Sequence, residues 1–324
     1  MFGFLKKNAY SIGIDIDDNN LKIVQLGSSG NAAHLVAGFS QARPDEIKTG
    51  SSGWQRWAIE SIRQMSSNGN FQGRAVTAAL PAADVFIEHI KMPKVSDNQI
   101  EDAIFSKIKQ KLPSSATQAN TLIKCIPTEQ DNILVMATDR ELVNRYLAIY
   151  EKAGLAIRSI CVWPVALISC YTKFFGRRQS DLNAVVMIVC VDAGCTNVVI
   201  CRHKNLLFAR SIPVGIGLVD DQTKISSLVL ELTSFKRQFC SMHRNIQIER
   251  LLFFSSRASD RDVCAAMAKQ MEMPAQMGDC LAAVEMSQSY NNKSAGGKEE
   301  YKYIAIDRRD CRLNWSVAFG LSLS

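Results

Sequence analysis

The sequence predicts an α/β protein built from two similar halves that enclose a cleft. Two stretches, residues 12–26 and 184–217, each open with an apolar strand that ends in an aspartate, followed by a turn and a second apolar strand. Elsewhere apolar residues recur at helical spacing, which is typical of helices packed on a sheet. We therefore expect a duplicated unit whose two hairpins border one cleft.

The second of these stretches has the clearer turn. Residues 184–191 form a nearly continuous apolar run, which indicates a strand buried on both faces. Asp192 ends the run, Gly194 permits a tight turn with outward-facing amides, and Thr196 adds a hydroxyl before the strand resumes at residues 198–201. Such a turn would face a phosphate group.

The N-terminal stretch repeats the same order of elements. This shared order carries more weight than the identities, which are few. The alignment pairs Asp15 with Asp192, Asn20 with Asn197 and Ile23 with Ile200.

The composition is that of a globular protein without a zinc or nucleic-acid signature. The chain has 324 residues, 47% hydrophobic and 21% charged, enough for two domains with sizeable cores. The net charge of +7 is dispersed, with no basic stripe of the kind that binds nucleic acid. No apolar stretch reaches the roughly 18 residues of a membrane span, and no signal peptide is evident. The ten cysteines form no CxxC pair and the four histidines are isolated, so we expect free thiols in a reducing compartment.

The first half divides into three segments. Residues 1–73 are assigned to the N-terminal part of the first lobe, where a third strand at 33–40 precedes a helix over 54–65. Residues 74–160 form a separate α+β block. Residues 161–183 are predicted to be a helix and a linker that complete the first lobe.

The block 74–160 alternates strand and helix patterns. Ser96 and Gln99 are spaced as a capping box for its first helix, and Thr138 and Glu141 for its second. The predicted strands are 74–80, 85–90, 121–126, 133–137 and 155–160.

Residues 184–324 are assigned to the second lobe. Strand, helix and loop patterns follow one another after its hairpin. They are a strand at 206–212, an amphipathic helix at 226–243, a strand at 250–254, a helix at 259–269, a polar loop at 291–300 and a terminal helix at 314–323.

Six motifs along the chain carry a family resemblance. They are GIDIDDNNLKIVQL (13–26), LPAADVFIEHIKMP (80–93), ILVMATDRELVNRYLAIYEKAGL (133–155), VDAGCTNVVI (191–200), LFARSIPVGIG (207–217) and WSVAFGLSL (315–323). In this order they resemble the PilM family of type IV pilus assembly proteins and, more distantly, the cell-division protein FtsA. The resemblance implies an actin-like fold, a duplicated ribonuclease-H-like unit with two lobes around a central cleft. The block 74–160 would be the small inserted subdomain of the first lobe.

The resemblance implies a role in pilus assembly. In that family a groove bordering the insertion receives the short cytoplasmic tail of the membrane protein PilN. The expected function is a non-catalytic scaffold of a type IV pilus or related secretion platform, which links a PilN-like protein to the assembly motor. We expect it in the cytoplasm, peripheral on the inner membrane, with no transmembrane helix and no nucleic-acid partner. Self-association is left open.

The resemblance also places a nucleotide site in the cleft. Actin-like proteins hold phosphates between two hairpin turns, with Mg²⁺ oriented by an aspartate on each side. The residues carried over are Asp15, Asp17, Asn19, Asn20 and Lys22 from the first phosphate loop, Asp192, Gly194, Cys195, Thr196 and Asn197 from the second, and Ser255 and Ser256 from the adenosine loop.

Two of these three elements depart from the family pattern. The family's Gly-Ser-Ser run is here Asp17, Asp18 and Asn19, and Ser255 and Ser256 replace glycines of the adenosine loop. A carboxylate about 4 Å from a phosphate charge costs about 4 kcal/mol at an effective dielectric of about 20. We therefore expect a degenerate site, with no catalytic residue and neither ATP nor Mg²⁺ as an assured cofactor.

Two alternatives stay open for the acidic turn. Asp15, Asp17 and Asp18 would recruit Mg²⁺ and restore phosphate binding, or Asp15 and Asp192 would hold it through bound water. A polar hairpin turn without metal is the simpler interpretation. With metal, the function would be that of an active Mg-ATP-binding actin-like ATPase or a sugar-kinase-like enzyme, although no general base is evident near either hairpin.

Overall fold

Three β-sheets and eight α-helices form the part of the chain that the computed structural model describes, residues 8–30, 32–92, 96, 99–192, 194–215, 222–255, 260–286, 303–307 and 313–324. The strands are β1 (Asn8–Ile16), β2 (Asn20–Ser29), β3 (Ala32–Ala42), β4 (Ala75–Leu80), β5 (Phe86–Lys91), β6 (Thr121–Pro127), β7 (Asn132–Asp139), β8 (Ala156–Val162), β9 (Val185–Val191), β10 (Thr196–Arg202), β11 (Asn205–Ile212), β12 (Arg250–Phe254), β13 (Ala275–Gly278), β14 (Glu285–Met286) and β15 (Ile304–Ala305). The helices are α1 (Ser52–Asn68), α2 (Ile100–Ile108), α3 (Arg140–Lys152), α4 (Trp163–Phe174), α5 (Gln222–Met242), α6 (Asp260–Gln270), α7 (Cys280–Ala283) and α8 (Ser316–Ser322). Within these ranges no helix has both the length and the apolar character needed to cross a membrane. The predicted loop at 291–300 lies outside them.

The first and second sheets share one strand order. The first runs β3-β2-β1-β4-β8 and the second β11-β10-β9-β12-β13. In each sheet three antiparallel strands come first and two strands then join in parallel. The common order confirms the predicted duplication of an α/β unit.

Strand β9 shows why its sequence is apolar without a break. Val185, Met187 and Val189 point into a core shared with α5 and α6, whereas Val186 and Ile188 point into the core shared with the first lobe. Because a strand alternates its side chains between two faces, burial on both faces requires a continuous apolar run.

The third sheet, β5-β7-β6, forms the inserted subdomain together with α2. Ile104 and Ile108 of α2 share a small core with Ile133 and Val135 of β7. The inserted subdomain is smaller than the expected block 74–160. Strands β4 and β8 belong to the first sheet, and α3 packs on α1, so the part with its own sheet runs only from β5 to β7.

The last part of the chain returns to the first lobe. Strands β14 and β15 pair with β3, and α8 packs against β1, so residues 184–324 contribute to both lobes and not to the second alone. Helix α4 contacts β8 and also β10, and therefore lies between the lobes instead of completing the first. A Cβ added at Gly320 would lie 1.8 Å from the carbonyl oxygen of Ala166, so only glycine fits where α8 crosses α4.

The helix starts differ from the capping boxes that the spacing predicted. Helix α3 is capped by Asp139, not Thr138, and the Asp139 carboxylate accepts bonds from the amides two and three residues later. The Ser96 hydroxyl contacts the Gln99 side chain, yet α2 begins at Ile100 without a side-chain cap. Both helices exist, but neither capping-box prediction was right.

Candidate functional site

The turns of the two duplicated hairpins line one cleft of about 400 Å³ between the lobes. A Cβ placed at Gly194 of the second turn would lie 3.8 Å from the Asp18 carboxylate of the first turn. The two Asp-bearing turns therefore face one another, as the repeat predicted. The connection from β4 to β5 and residues Arg210 and Pro213 complete the walls.

The hairpin registers correct the sequence alignment of the two copies. In the first turn the Asp17 amide donates to the Asn20 carbonyl at 2.9 Å, and in the second the Asp192 amide donates to the Cys195 carbonyl at 2.9 Å. Asp17, not Asp15, is thus the equivalent of Asp192. The alignment of identities missed this because turn closure, which sets the register, leaves no mark in residue type.

Asp17 closes the first turn with its own carboxylate. Its Oδ1 accepts from the Asn19 amide at 2.8 Å and from the Asn20 amide at 2.7 Å. Its Oδ2 lies 3.1 Å from the Lys22 ammonium. Amides and an ammonium in this arrangement are the donors that a phosphate would use. Asp17 therefore satisfies these donors from within the chain.

Lys22 is the cation at the centre of this cluster. Its side chain is only 3% exposed, and its Nζ lies 2.8 Å from Asp15 Oδ2. It also donates to the Asn314 carbonyl at 3.0 Å. Asn314, which sequence reasoning missed, in turn donates through its side chain to the Phe254 carbonyl at 3.0 Å. In the sequence, the one feature that could have pointed to Asn314 is its position just before the motif at 315–323.

Burial and charge together perturb the carboxylates around Lys22. Burial raises the pKa of Asp192 to about 6, against the attraction of Lys22 and with the repulsion of Asp17 and Asp15. Burial also raises the pKa of Asp15, opposed by Lys22. The pKa of Lys22 lies well above its usual value, because the surrounding aspartates outweigh its burial. Lys22 stays charged at neutral pH.

Some of the predicted site residues line the cleft in the structure, and others do not. Thr196 is fully buried and its hydroxyl donates to the Val214 carbonyl at 2.7 Å, away from the cleft. Ser255 is buried and bonds to Asp260, so it does not line the cleft, and Ser256 lies outside the described residues. The predicted residues that do line the cleft are Asp15, Asp17, Asn19, Asp192, Gly194, Cys195 and Asn197. Asn20 and Lys22 lie behind them.

The aspartates of the acidic turn contact Lys22. Within the described ranges no group of three His, Cys, Asp or Glu side chains is placed to hold a metal ion. Asp15 and Asp17 point at the Lys22 ammonium, which supplies the positive charge that Mg²⁺ would otherwise bring. The three-aspartate arrangement suggested by the sequence thus lacks a common focus.

A larger groove, of about 1000 Å³, lies on another face of the molecule. We call it the insertion groove, because its walls are α4, the β6–β7 turn of the inserted subdomain and the β10–β11 turn of the second lobe. Val165, Ile168 and Leu206 give it an apolar floor. Lys173 and Arg177 place positive charge on its rim.

A polar seam joins the inserted subdomain to the second lobe between the cleft and the insertion groove. Glu88 lies 3.1 Å from Arg210, and Glu129 pairs with Arg202. The His89 ring stacks on Phe208 at 4.5 Å, and burial lowers its pKa to about 3, so it stays neutral. The seam fixes the relative position of the two cavities.

Two lobes of matching strand order around one cleft define an actin-like protein. Among solved structures, the PilM–PilN type IV pilus biogenesis complex matches with a TM-score of 0.72 at 17% identity, over 97% of this chain and 98% of that one. A protein of unknown function with an actin-like ATPase fold from Bacteroides thetaiotaomicron gives 0.48 at 12% identity, over 88% and 96%. The cytoplasmic domain of EpsL, from the type II secretion system of Vibrio cholerae, gives 0.49 at 9% identity, over 86% and 85%.

A family model described as type IV pilus assembly protein PilM matches residues 13–223. The chain belongs to this family, as its motifs indicated. No curated protein matches it in sequence.

Replacing Lys22 tests its central position. In Lys22→Met, Asp15 and Asp17 lose their buried counter-charge, and we expect the free energy of unfolding to fall by about 3–5 kcal/mol. Lys111→Met removes a mostly exposed partner of Glu88 and should cost about 1 kcal/mol or less. Urea titrations measure both. Adding Asp15→Asn to Lys22→Met should recover part of the loss; no recovery would contradict the electrostatic explanation.

The pKa of Asp192 predicts a pH dependence. Between about pH 4 and 6 the folded state binds a proton that the unfolded state lacks, so this group lowers stability as pH rises through that window. The free energy of unfolding of Asp192→Asn should therefore exceed that of the wild type by about 3 kcal/mol at neutral pH, and the difference should vanish below about pH 4. Urea unfolding across pH measures this, with Asp131→Asn on an exposed turn as control. A difference independent of pH would refute the assignment.

Proposed function

We propose that this chain is a non-catalytic scaffold of a type IV pilus or related secretion platform. Its insertion groove receives the cytoplasmic tail of a PilN-like inner-membrane protein and links it to the assembly motor. The chain then works in the cytoplasm, held at the inner face of the membrane by that partner. The observation that carries the proposal is a large groove bordering the insertion, together with a separate cleft in which the Asp17 carboxylate already holds two turn amides and Lys22.

The shape and charge of the insertion groove support a peptide ligand. An apolar floor suits the side chains of an extended segment, and polar groups at the rim fix its orientation. Among the described residues that line the groove, Glu129 is the only acidic one, and it is paired with Arg202. Lys173, Arg177 and Lys204 make the rim basic, which favours a tail with acidic groups or a free carboxylate. The solved relative of similar fold is a complex with PilN.

The contacts of Asp17 support the non-catalytic part of the proposal. A nucleotide phosphate would have to displace this carboxylate from two turn amides and from Lys22. It would also meet the charges of Asp15 and Asp18. Each such repulsion is worth up to about 4 kcal/mol at close range.

A second candidate function, phosphoryl transfer in the cleft, has one observation in its favour. The pKa of Asp192, about 6, is suitable for a general base near neutral pH. Asn197, beside it, has a buried side-chain oxygen without a hydrogen-bond partner among the described residues, which a ligand would satisfy. This candidate requires that Mg-ATP bind.

Tail binding is tested with a labelled synthetic peptide of the cytoplasmic tail of a PilN-like membrane protein. Val165 is half-buried in the groove floor, and Val165→Glu should weaken binding at least about tenfold, as measured by fluorescence anisotropy. Leu230→Glu, an equivalent change at a residue that is 71% exposed elsewhere, should leave affinity unchanged. Equal affinity for all three proteins, or no binding to the wild type, would reject the groove as the docking site.

Nucleotide binding is tested by thermal shift with Mg-ATP at millimolar concentration. We expect no shift for the wild type, because Asp17 holds the phosphate donors. Asp17→Gly combined with Asp18→Ser frees the amides and Lys22, and should produce a shift of several degrees. Asp131→Gly, on an exposed turn, is the matched control and should respond like the wild type. A clear shift for the wild type would favour the second candidate.

A further inference from the structure

In the part of the chain that the structure describes, two connections run between the two main sheets. The chain leaves the first sheet after β8 and reaches β9 of the second through α4. It leaves the second sheet after β13 and returns to β14, beside β3 of the first, through α7. A change in the angle between the lobes moves these two connections relative to one another unless the rotation axis passes through both of them.

A pair of cysteines joins the two connections. Cys170 lies on α4 and Cys280 on α7, and their sulfur atoms are 3.2 Å apart. Cys170 is fully buried and Cys280 is 6% exposed. Their positions in the chain are 110 residues apart, so only the tertiary structure brings them together.

We propose that Cys170 and Cys280 form a reversible disulfide when the protein meets a hydroperoxide, and that this bond locks the two interlobe connections together. A disulfide places its sulfurs about 2.05 Å apart, so the pair needs to approach by only about 1 Å. In a reducing compartment the two cysteines are free thiols, and the disulfide forms only when they are oxidised. This inference does not depend on the proposed scaffold function.

The chemistry balances with hydrogen peroxide as the oxidant. The Cys170 sulfur attacks one peroxide oxygen, the O–O bond breaks, and Cys170 sulfenic acid and water form. The Cys280 sulfur then attacks the Cys170 sulfur, the S–O bond breaks, and a second water leaves with the Cys280 proton. Two thiols are oxidised by two electrons in all, and one peroxide is reduced to two waters. A dithiol reductant reverses the bond through thiol–disulfide exchange.

The burial of the pair makes this reaction slow but specific. Burial raises the pKa of the Cys280 thiol well above its usual value, which lowers its thiolate fraction and slows its attack on the Cys170 sulfur. Cys240 is exposed and would react earlier with peroxide or with a second molecule. The pair reacts when the lobes open briefly, and the bond then prevents further opening. Because Val165 and Ile168 of the same helix form the floor of the insertion groove, the bond also fixes that floor.

The experiment uses the full chain carrying Cys240→Ser, to avoid links between molecules. The reduced protein is treated with hydrogen peroxide under native conditions, the free thiols are blocked by alkylation after denaturation, and peptides are mapped by mass spectrometry. We expect a linked peptide pair containing Cys170 and Cys280, a mass loss of about 2 Da and a melting temperature higher by several degrees. Dithiothreitol should reverse all three changes.

Two variants in the same background identify the pair. Cys280→Ser should abolish the linked peptide and the thermal shift, whereas Cys264→Ser, in the buried core of the second lobe, should preserve both. Mapping the protein without either variant keeps the test valid if Cys280→Ser does not fold. The proposal is overturned if peroxide consumes the exposed thiol in the protein with native Cys240 while Cys170 and Cys280 stay alkylatable, or if either pairs with a different cysteine.

Discussion

The arrangement of the cleft depends on one carboxylate, that of Asp17. One of its oxygens accepts from two turn amides and the other pairs with the buried Lys22. A buried ammonium is tolerated only with a close counter-charge, and turn amides require an acceptor, so a single side chain satisfies both requirements. The same carboxylate therefore closes the turn and neutralises the buried ammonium.

Lys22 extends this constraint across the molecule. It contacts the backbone of Asn314, which precedes α8, and Asn314 contacts the end of β12 in the second lobe. Asp192 faces the same ammonium from the second hairpin, and its raised pKa reflects burial that Lys22 only partly offsets. The two lobes thus meet at a charge cluster internal to the protein.

The two cavities lie on either side of the seam between the insertion and the second lobe. Arg210 lines the cleft while its guanidinium contacts Glu88 of the insertion, and Glu129, paired with Arg202, lines the insertion groove. Packing of α4 between the sheets, with Gly320 of α8 against it, gives the groove a rigid floor. A peptide in the groove would touch three parts of the chain whose relative positions are fixed by α4 and by this seam.

Local periodicity and turn residues were enough to predict the repeated strand–Asp–turn–strand units, the buried strands and most helices. Motifs that keep their order along the chain also indicated the family. The sequence did not predict that β4 and β8 join the first sheet, that α8 returns to β1, or that the turn closed by Asp17 matches the turn closed by Asp192, because strand partners and register depend on distant residues. Lys22 and Asn314 are 292 residues apart in the chain, and Cys170 and Cys280 are 110 residues apart. No local sequence pattern predicts contacts between residues so far apart.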